Sequence, residues 1–221
     1  MEPEQQSKWR QYLHKRVLVI FFLGFSAGLP FALVYSTLTA WLETAAIDRS
    51  TISTFAWLGF AYSFKFIWAP IIDSTRLPLL SGLLGRRRSW MLLAQLCIGL
   101  ALFALAQVDP ASNIEVFAIV AFAVAFSSAT QDIVVDAYRI ECAEVRMQGL
   151  LAAAYQYGYR VALIFSMGGA LILSDHVSWA LTYQIMALMM IIGLAATLWA
   201  DEPAEITERF RAPAGPLTDK A

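Results

Sequence analysis

Residues 17–42 read VLVIFFLGFSAGLPFALVYSTLTAWL, a stretch without one charged side chain. About 20 predominantly apolar residues are enough for a helix to cross the hydrocarbon core of a bilayer, so this stretch predicts a transmembrane span. It follows a polar tail, residues 1–16, and is too long for the apolar region of a secretory signal peptide. We therefore expect an uncleaved first span.

The composition of the whole chain also indicates a membrane protein. Of the 221 residues, 59% are apolar and 15% are charged, whereas soluble domains have about 25% charged residues. A soluble domain of this length could not bury so many apolar side chains in one core. Together with a net charge of −1, the composition excludes a soluble enzyme, a disordered protein and a nucleic-acid-binding protein.

Further apolar stretches bring the predicted number of spans to six, joined by short connections. They comprise residues 52–72, 90–107, 116–137, 150–173 and 179–200. We therefore predict an all-α polytopic membrane protein with a single six-helix unit over residues 17–200. Residues 201–221 are polar and contain three prolines, which is typical of a linker or a tail.

The basic residues predict the orientation of the chain in the membrane. Of the 16 lysines and arginines, Arg49 alone lies in a connection on the side opposite to the tails, and Lys65 and Arg160 lie within spans. All the others lie in the two tails, in the connection after the second span or in the connection after the fourth. Because cytoplasmic loops carry an excess of lysine and arginine, we expect both termini in the cytoplasm.

Charged residues inside the predicted spans are candidate functional groups, because each costs about 2.5–3.5 kcal/mol at the centre of a bilayer. Asp132 and Asp136 are four residues apart and share one helix face. Two carboxylates on one face suit proton or cation handling, which makes both candidates for proton coupling. The alternative is a pair of structural ion pairs, Asp136 with Arg139 and Asp132 with a basic residue elsewhere.

The fifth span combines Tyr155, Gln156 and Arg160 within two helical turns. A guanidinium group binds carboxylate or phosphate with two hydrogen bonds, and tyrosines offer hydroxyls and stacking faces. These residues therefore predict binding of an anionic, sugar-like solute, and Lys65 is a further candidate for it. Two alternatives remain: Arg160 neutralises Asp132 as a packing residue, and Lys65 extends its amine to the membrane surface.

Metal and cofactor sites are not predicted. His14 and His176 lie on opposite sides of the membrane, and the two cysteines, Cys97 and Cys142, have no CxxC spacing. Because no nucleophile–base arrangement is visible either, we expect no enzymatic activity.

A charged motif follows the second span. Asp73 ends the span, and the sequence GRRR, residues 85–88, precedes the third span. This arrangement resembles the signature of the major facilitator superfamily, in which the aspartate and the arginines clamp the ends of neighbouring helices on the cytoplasmic side. The chain departs from the usual pattern by a longer insertion, residues 76–84. The resemblance implies a gate formed by Asp73, Gly85, Arg86, Arg87 and Arg88, with Arg139 as an extra partner.

Four sequence blocks carry a closer resemblance, to the AmpG-type anhydromuropeptide permeases. They are GLP (28–30), KFIWAPIID (65–73), GRRRSW (85–90) and SATQDIVVDAYR (128–139); acetyl-coenzyme A transporters are similar and share parts of them. The resemblance implies proton-coupled import of anhydromuropeptides, which are N-acetylglucosamine linked to anhydro-N-acetylmuramyl peptides, across the bacterial inner membrane for cell-wall recycling. It also implies that Gln131 and Asp132 belong to a polar cavity.

Such permeases have at least twelve spans in two halves, and this chain supplies only the first half. Because substrate sites of the superfamily lie between the halves, we expect a second six-helix half, on the same or a separate chain. The other expected partners are the solute, protons and the lipid bilayer. Two alternatives stay open: an acetyl-coenzyme A-type carrier, and a non-transporting half-module that assembles with a complete carrier.

Overall fold

A computed structural model describes residues 14–203 of the chain. All regular structure within these residues is helical, which confirms the all-α prediction. Five helices in this part of the chain are long and apolar enough to cross a membrane. They are α1 (Lys15–Thr44), α3 (Arg86–Leu105), α4 (Ile114–Glu141), α5 (Val145–Ser174) and α6 (Trp179–Trp199). They correspond to the first, third, fourth, fifth and sixth predicted spans.

The region of the second predicted span, labelled α2 (residues 49–74), is an interrupted helical segment. It consists of the short helices Arg49–Thr54, Phe55–Leu58, Gly59–Ser63, Lys65–Ile67 and Ala69–Ser74, of which the second and fourth are 3₁₀ turns. The prediction of six long helices is therefore not confirmed. Pro70 is one cause of the interruption, because in a continuous helix its ring would meet the carbonyl of Phe66, four residues earlier.

The interrupted segment α2 packs along α4. The indole of Trp68 donates a hydrogen bond to Thr130 Oγ1 at 3.1 Å. Nearer the start of α2, the ring of Trp57 stacks on that of Phe122, with their centroids 5.0 Å apart. These contacts place the side chains of α2 beside the charged face of α4.

The centre of the bundle is α1, which packs against α4, α5 and α6. Its approach to α5 depends on glycines on both helices. A Cβ at Gly24 would overlap the backbone of Tyr155, and a Cβ at Gly158 would overlap the carbonyl of Phe21. Small residues are what allow the backbones of transmembrane helices to approach so closely.

Both α1 and α5 contain a π-helical turn, Leu33–Thr37 in α1 and Ile164–Gly169 in α5. The two turns lie next to each other, and the Thr37 hydroxyl donates a 2.5 Å hydrogen bond to the carbonyl of Ser166. A π turn inserts an extra residue into a helix and changes the direction of the side chains that follow. In α1 this turn includes Tyr35, which contributes to the site described next.

Candidate functional site

An ion pair joins α2 to α4 in the interior of the bundle. Lys65 Nζ lies 3.8 Å from Asp132 Oδ2, and the Asp132 side chain is 16% exposed. Its second oxygen, Oδ1, is buried and accepts no hydrogen bond from the residues that the structure describes. At 1.5 Å per residue, Asp132 lies about 14 Å along α4 from Glu141, close to the middle of a hydrocarbon core about 30 Å thick. A carboxylate in this position is only partly compensated.

Aromatic side chains from α1, α2 and α5 line the neighbourhood of this pair. We call Phe31, Tyr35, Tyr62, Tyr155 and Tyr159 the aromatic cluster. The ring of Phe31 lies 4.8 Å from that of Tyr35, 5.3 Å from that of Tyr62 and 6.1 Å from that of Tyr159, between centroids. The ring centroids of Tyr35 and Tyr62 lie 5.7 Å apart and those of Tyr155 and Tyr159 lie 6.1 Å apart. Because Tyr62 is three residues before Lys65 in α2, we treat the cluster and the ion pair as one site.

Sequence reasoning found part of this site. It identified Lys65, Asp132 and Tyr155, but not Tyr35 of α1 or Tyr62 of α2. Phe31 and Tyr35 are four residues apart and therefore share one helix face. This spacing could have predicted from the sequence that the two rings form a common aromatic surface on α1.

Two predicted solute-binding residues lie apart from the ion pair. Gln156 and Arg160 are exposed on α5, and Arg160 has no ion pair among residues 14–203. The structure therefore pairs Asp132 with Lys65 and not with Arg160. Tyr157 is exposed beside them, so the first half of α5 has exposed polar groups, whereas its second half exposes apolar side chains such as Ile164 and Ile172.

Gln131, which is predicted to share a polar cavity with Asp132, lies on a different side of α4 from Asp132. Gln131 is fully buried, and its Nε2 donates to Ser26 Oγ of α1 at 3.3 Å. The physical reason is helix geometry, because adjacent residues of a helix point about 100° apart. Asp132 therefore faces α2, whereas Gln131 packs between α4 and α1.

The second carboxylate of the predicted proton-coupling pair has its own local partner. Arg139 Nη2 lies 3.8 Å from Asp136 Oδ1, one helical turn away, and the Asp136 side chain is about half exposed. This is the structural ion pair that the sequence left open as an alternative. Arg139, predicted as an extra partner of the gate, lies beside Asp136 of its own helix in this structure.

A second charged site lies where α2 and α4 end and α3 begins, which we call the basic end of the bundle. The buried guanidinium of Arg87 lies 2.6 Å from Asp73 Oδ1 of α2. It also makes two hydrogen bonds to the Glu141 carboxylate of α4, at 2.9 and 2.5 Å. Such a two-pronged pair is the strongest geometry available to arginine and carboxylate. Arg86 adds a hydrogen bond to the carbonyl of Asp73.

Glu202 connects the end of α6 to the start of α3. Its carboxylate accepts hydrogen bonds from the backbone N–H groups of Arg87, at 2.7 Å, and Arg88, at 3.0 Å. A carboxylate there satisfies first-turn donors and complements the positive end of the helix dipole. Gly85 makes room for it, because its φ is +85° and a Cβ there would overlap the Glu202 side chain.

The charges at this end therefore connect four segments. Arg88 completes the arrangement by donating to the carbonyls of Thr197, at 3.1 Å, and Leu198, at 2.7 Å, in the last turn of α6. We call the following residues the basic-end cluster: Asp73, Arg86, Arg87, Arg88, Glu141 and Glu202. Sequence reasoning missed both glutamates, although each directly ends or follows a predicted span beside a basic connection.

The described residues offer no metal centre that would add to these two sites. Residues 14–203 contain no group of three or more His, Cys, Asp or Glu side chains that could hold a metal ion. In the same part of the chain neither Cys97, which is exposed, nor Cys142, which is buried, forms a disulfide.

Comparison with known proteins places the chain in a transporter family. Residues 16–183 match the family model described as acetyl-coenzyme A transporter 1. The chain belongs to this family. It is therefore a multi-pass membrane protein of the transporter class, as its long apolar helices also indicate.

Curated relatives carry more specific names. The chain is 38% identical over 197 residues, 89% of its length, to the anhydromuropeptide permease of Escherichia coli strain K12. It is 32% identical over 88% of its length to putative transporter AmpG 4 of Rickettsia conorii. These matches cover 39% and 47% of the two relatives, so the chain spans less than half the length of the curated relatives it matches.

Proposed function

We propose that this chain is the N-terminal half of a proton-coupled permease that imports anhydromuropeptides across the bacterial inner membrane for cell-wall recycling. The family match and the permease relatives support this assignment. In this proposal both termini lie in the cytoplasm, as the distribution of basic residues favours. A second six-helix half, on the same or a separate chain, completes the solute site.

The observation that carries the proposal is the Lys65–Asp132 pair. At 3.8 Å, with one carboxylate oxygen unpartnered among the described residues, the pair is weak enough to open. When Asp132 takes up a proton its charge disappears, and the attraction that holds the Lys65 ammonium is lost. Lys65 then becomes free to bind a carboxylate of the peptide, which links proton uptake to solute binding.

The aromatic cluster and the exposed side of α5 bind the sugar and amide groups of the solute in this proposal. Tyrosine and phenylalanine rings stack on the apolar faces of sugars, and the tyrosine hydroxyls also donate hydrogen bonds. Gln156 and Arg160 are exposed in this half, where a solute held between two halves would meet them. Their amide and guanidinium groups suit a solute that carries both amides and carboxylates.

The basic-end cluster acts as the gate in this proposal. Its ion pairs and helix-end hydrogen bonds connect α2, α3, α4 and α6, and so they hold these segment ends together in one state. Alternating access in such carriers is largely a rocking of one half against the other. The cluster would stabilise the state that is closed at this end, and would rearrange when the halves rock.

The test uses the assembled permease, with both halves present, in inverted or right-side-out membrane vesicles. Uptake of labelled anhydromuropeptide is driven by an imposed pH gradient in the parent and in Asp132→Asn. We expect Asp132→Asn to lose gradient-driven uptake but to insert normally and to retain solute exchange. Asp136→Asn is the matched control, because Asp136 is half exposed and paired within its own helix. Normal gradient-driven uptake by Asp132→Asn would contradict the coupling role.

An acetyl-coenzyme A-type carrier is the second candidate, favoured by the description of the matching family model. In that case Lys65 and Arg160 would bind phosphates in place of carboxylates. Competition separates the two: excess unlabelled acetyl-coenzyme A should leave anhydromuropeptide uptake unchanged if the first proposal holds. A non-transporting half-module would instead tolerate Asp132→Asn and Arg160→Gln without any effect on uptake.

A further inference from the structure

The insert, residues 76–84 between α2 and α3, presents large apolar side chains to its surroundings. Leu79 is 89% exposed and Leu83 is 83% exposed. Gly82 lies between them, and a Cβ there would have no neighbour within 4 Å among the described residues. Two exposed leucines four residues apart form a small apolar face that a water-exposed loop would not need.

The insert is held in a defined conformation. The backbone N–H of Leu77 donates to Ser81 Oγ at 2.9 Å, and the N–H of Ser81 donates to the carbonyl of Leu77 at 3.0 Å. The helical turn Leu80–Leu84 packs on α3. Leu79 precedes this turn with a φ of +69°, a conformation that leucine rarely adopts. The exposure of the two leucines is thus imposed by the local structure.

The insert also lies between the second and third predicted spans, which implies a position at the level of the membrane surface. It leaves α2 at Ser74 and enters α3 at Arg86, so both of its ends are ends of membrane segments. The indole of Trp90 donates to the carbonyl of Thr75 at 2.9 Å and so fixes the start of the insert beside α3. Tryptophan and arginine in these positions are typical of the headgroup region.

The neighbouring surfaces favour lipid over protein as the partner of this face. The insert packs on α3, whose exposed side chains are all apolar: Leu96, Cys97, Leu100, Phe103 and Ala104. By contrast, the part of α5 nearer its start presents exposed polar groups, Gln156, Tyr157 and Arg160, which suit contact with solute or with a second half, whereas its later part exposes apolar side chains such as Ile164 and Ile172. An outer helix surface with no exposed polar side chain is what lipid tails solvate.

We propose that the insert is an interfacial membrane anchor. Leu79 and Leu83 enter the boundary between headgroups and acyl chains of the leaflet at the basic end, as the apolar side of interfacial segments does. Arg76 and Arg86 flank the insert, and their positive charge suits anionic phospholipid headgroups. The anchor would hold the α2–α3 connection, and with it Asp73 and Arg87, at a fixed depth. It does not depend on which solute is carried.

The test measures the depth of residue 83 in the bilayer. Leu83→Cys is made in a chain with Cys97→Ser and Cys142→Ser, labelled with the environment-sensitive dye NBD, and reconstituted in vesicles of phosphatidylethanolamine and phosphatidylglycerol. Ala111→Cys, an exposed small residue in the connection between α3 and α4, is the matched control. We expect blue-shifted NBD emission at residue 83, and quenching by lipids that carry a nitroxide high on the acyl chain. Residue 111 should show neither.

Two outcomes would overturn the anchor. If residue 83 emits like residue 111 and is quenched by iodide in the buffer, the leucines are exposed to water. If residue 83 resists both iodide and nitroxide lipids, a protein surface covers it. Vesicles of phosphatidylcholine alone test the role of charge, because an anchor that needs anionic lipid should show weaker nitroxide quenching there.

Discussion

The Lys65–Asp132 pair and the basic-end cluster are both built from opposite charges, yet they differ in how fully those charges are compensated. Arg87 is within 3 Å of carboxylates on two segments, and Glu202 satisfies the backbone donors beside it. Lys65 and Asp132 lie 3.8 Å apart, and one oxygen of Asp132 is unpartnered among the described residues. A fully compensated cluster fixes segment ends, whereas a partly compensated pair can exchange partners.

The largest effect on stability is expected from Arg87→Ala, because it leaves Glu141 as a buried carboxylate without its two-pronged partner. Removing one member of a buried ion pair costs about 3–5 kcal/mol, and we expect the lower end because Asp73 is half exposed. The melting temperature of the purified protein in detergent measures it. Arg146→Ala, which removes an exposed pair with Glu144, should have almost no effect. Equal melting temperatures for the two variants would contradict the role given to Arg87.

A smaller effect is expected from Glu202→Ala, which removes a helix cap but no buried guanidinium. Loss of a capping side chain costs about 1 kcal/mol, and the first turn of α3 should exchange its amide hydrogens faster. Hydrogen exchange resolved by mass spectrometry measures this turn directly. Glu144→Ala is the control for removal of an exposed carboxylate. Unchanged exchange at residues 86–89 would show that Glu202 does not cap α3 in the membrane.

Removing both charges of the Lys65–Asp132 pair together should change the stability of the protein much less than removing Arg87 alone. Replacing a buried ion pair by apolar residues of similar size is often neutral, so Lys65→Met with Asp132→Leu should change the unfolding free energy by less than about 1 kcal/mol. Each single variant should destabilise more than the double variant, since it leaves one charge unpaired. A double-mutant cycle on melting temperature gives the coupling. Additive single effects would mean that the two residues do not interact.

The smallest effect concerns Asp48, an exposed carboxylate that caps the start of α2. Hydrogen bonds from Ser50 and from the backbone and side chain of Thr51 lower the pKa of Asp48 to about 2. A depressed folded pKa means that the cap contributes in full above the unfolded value of about 3.9 and loses its contribution as the pH falls through about 2. The melting temperature between pH 5 and pH 2 should therefore fall slightly more for the parent than for Asp48→Ala. Parallel pH profiles would contradict this cap.

Part of the fold was predictable because it depends on local chemistry. Five of the predicted spans are long helices, since runs of apolar residues must form backbone hydrogen bonds within themselves in lipid. The hydropathy pattern did not predict the interruption of α2. Such a pattern records how apolar a stretch is, but not the steric conflict between the Pro70 ring and the preceding helical turn. Close packing of α1 on α5 depends on Gly24 of one helix and Gly158 of the other, and the sequence of one span does not show which helix it meets.

The candidate sites, like the fold, were predictable from the sequence only in part. Lys65, Asp132 and Arg87 stood out in the sequence, because a charge within or beside an apolar span is costly and therefore informative. The pairing of Lys65 with Asp132 did not stand out, because the two residues come from different segments. Glu141 and Glu202 were recognised only when the ends of α3, α4 and α6 came together.

The sequence by itself determined that the chain enters a membrane, where its helices run and which charged residues must be accommodated. These properties follow from side-chain transfer free energies, which each residue carries with it. Only the tertiary structure decided which charge meets which, because ion pairs and hydrogen bonds depend on distances of a few ångströms between segments. The packing of α2 on α4, and of α3 on α4 and α6, sets those distances, and with them the difference between the basic-end cluster and the Lys65–Asp132 pair.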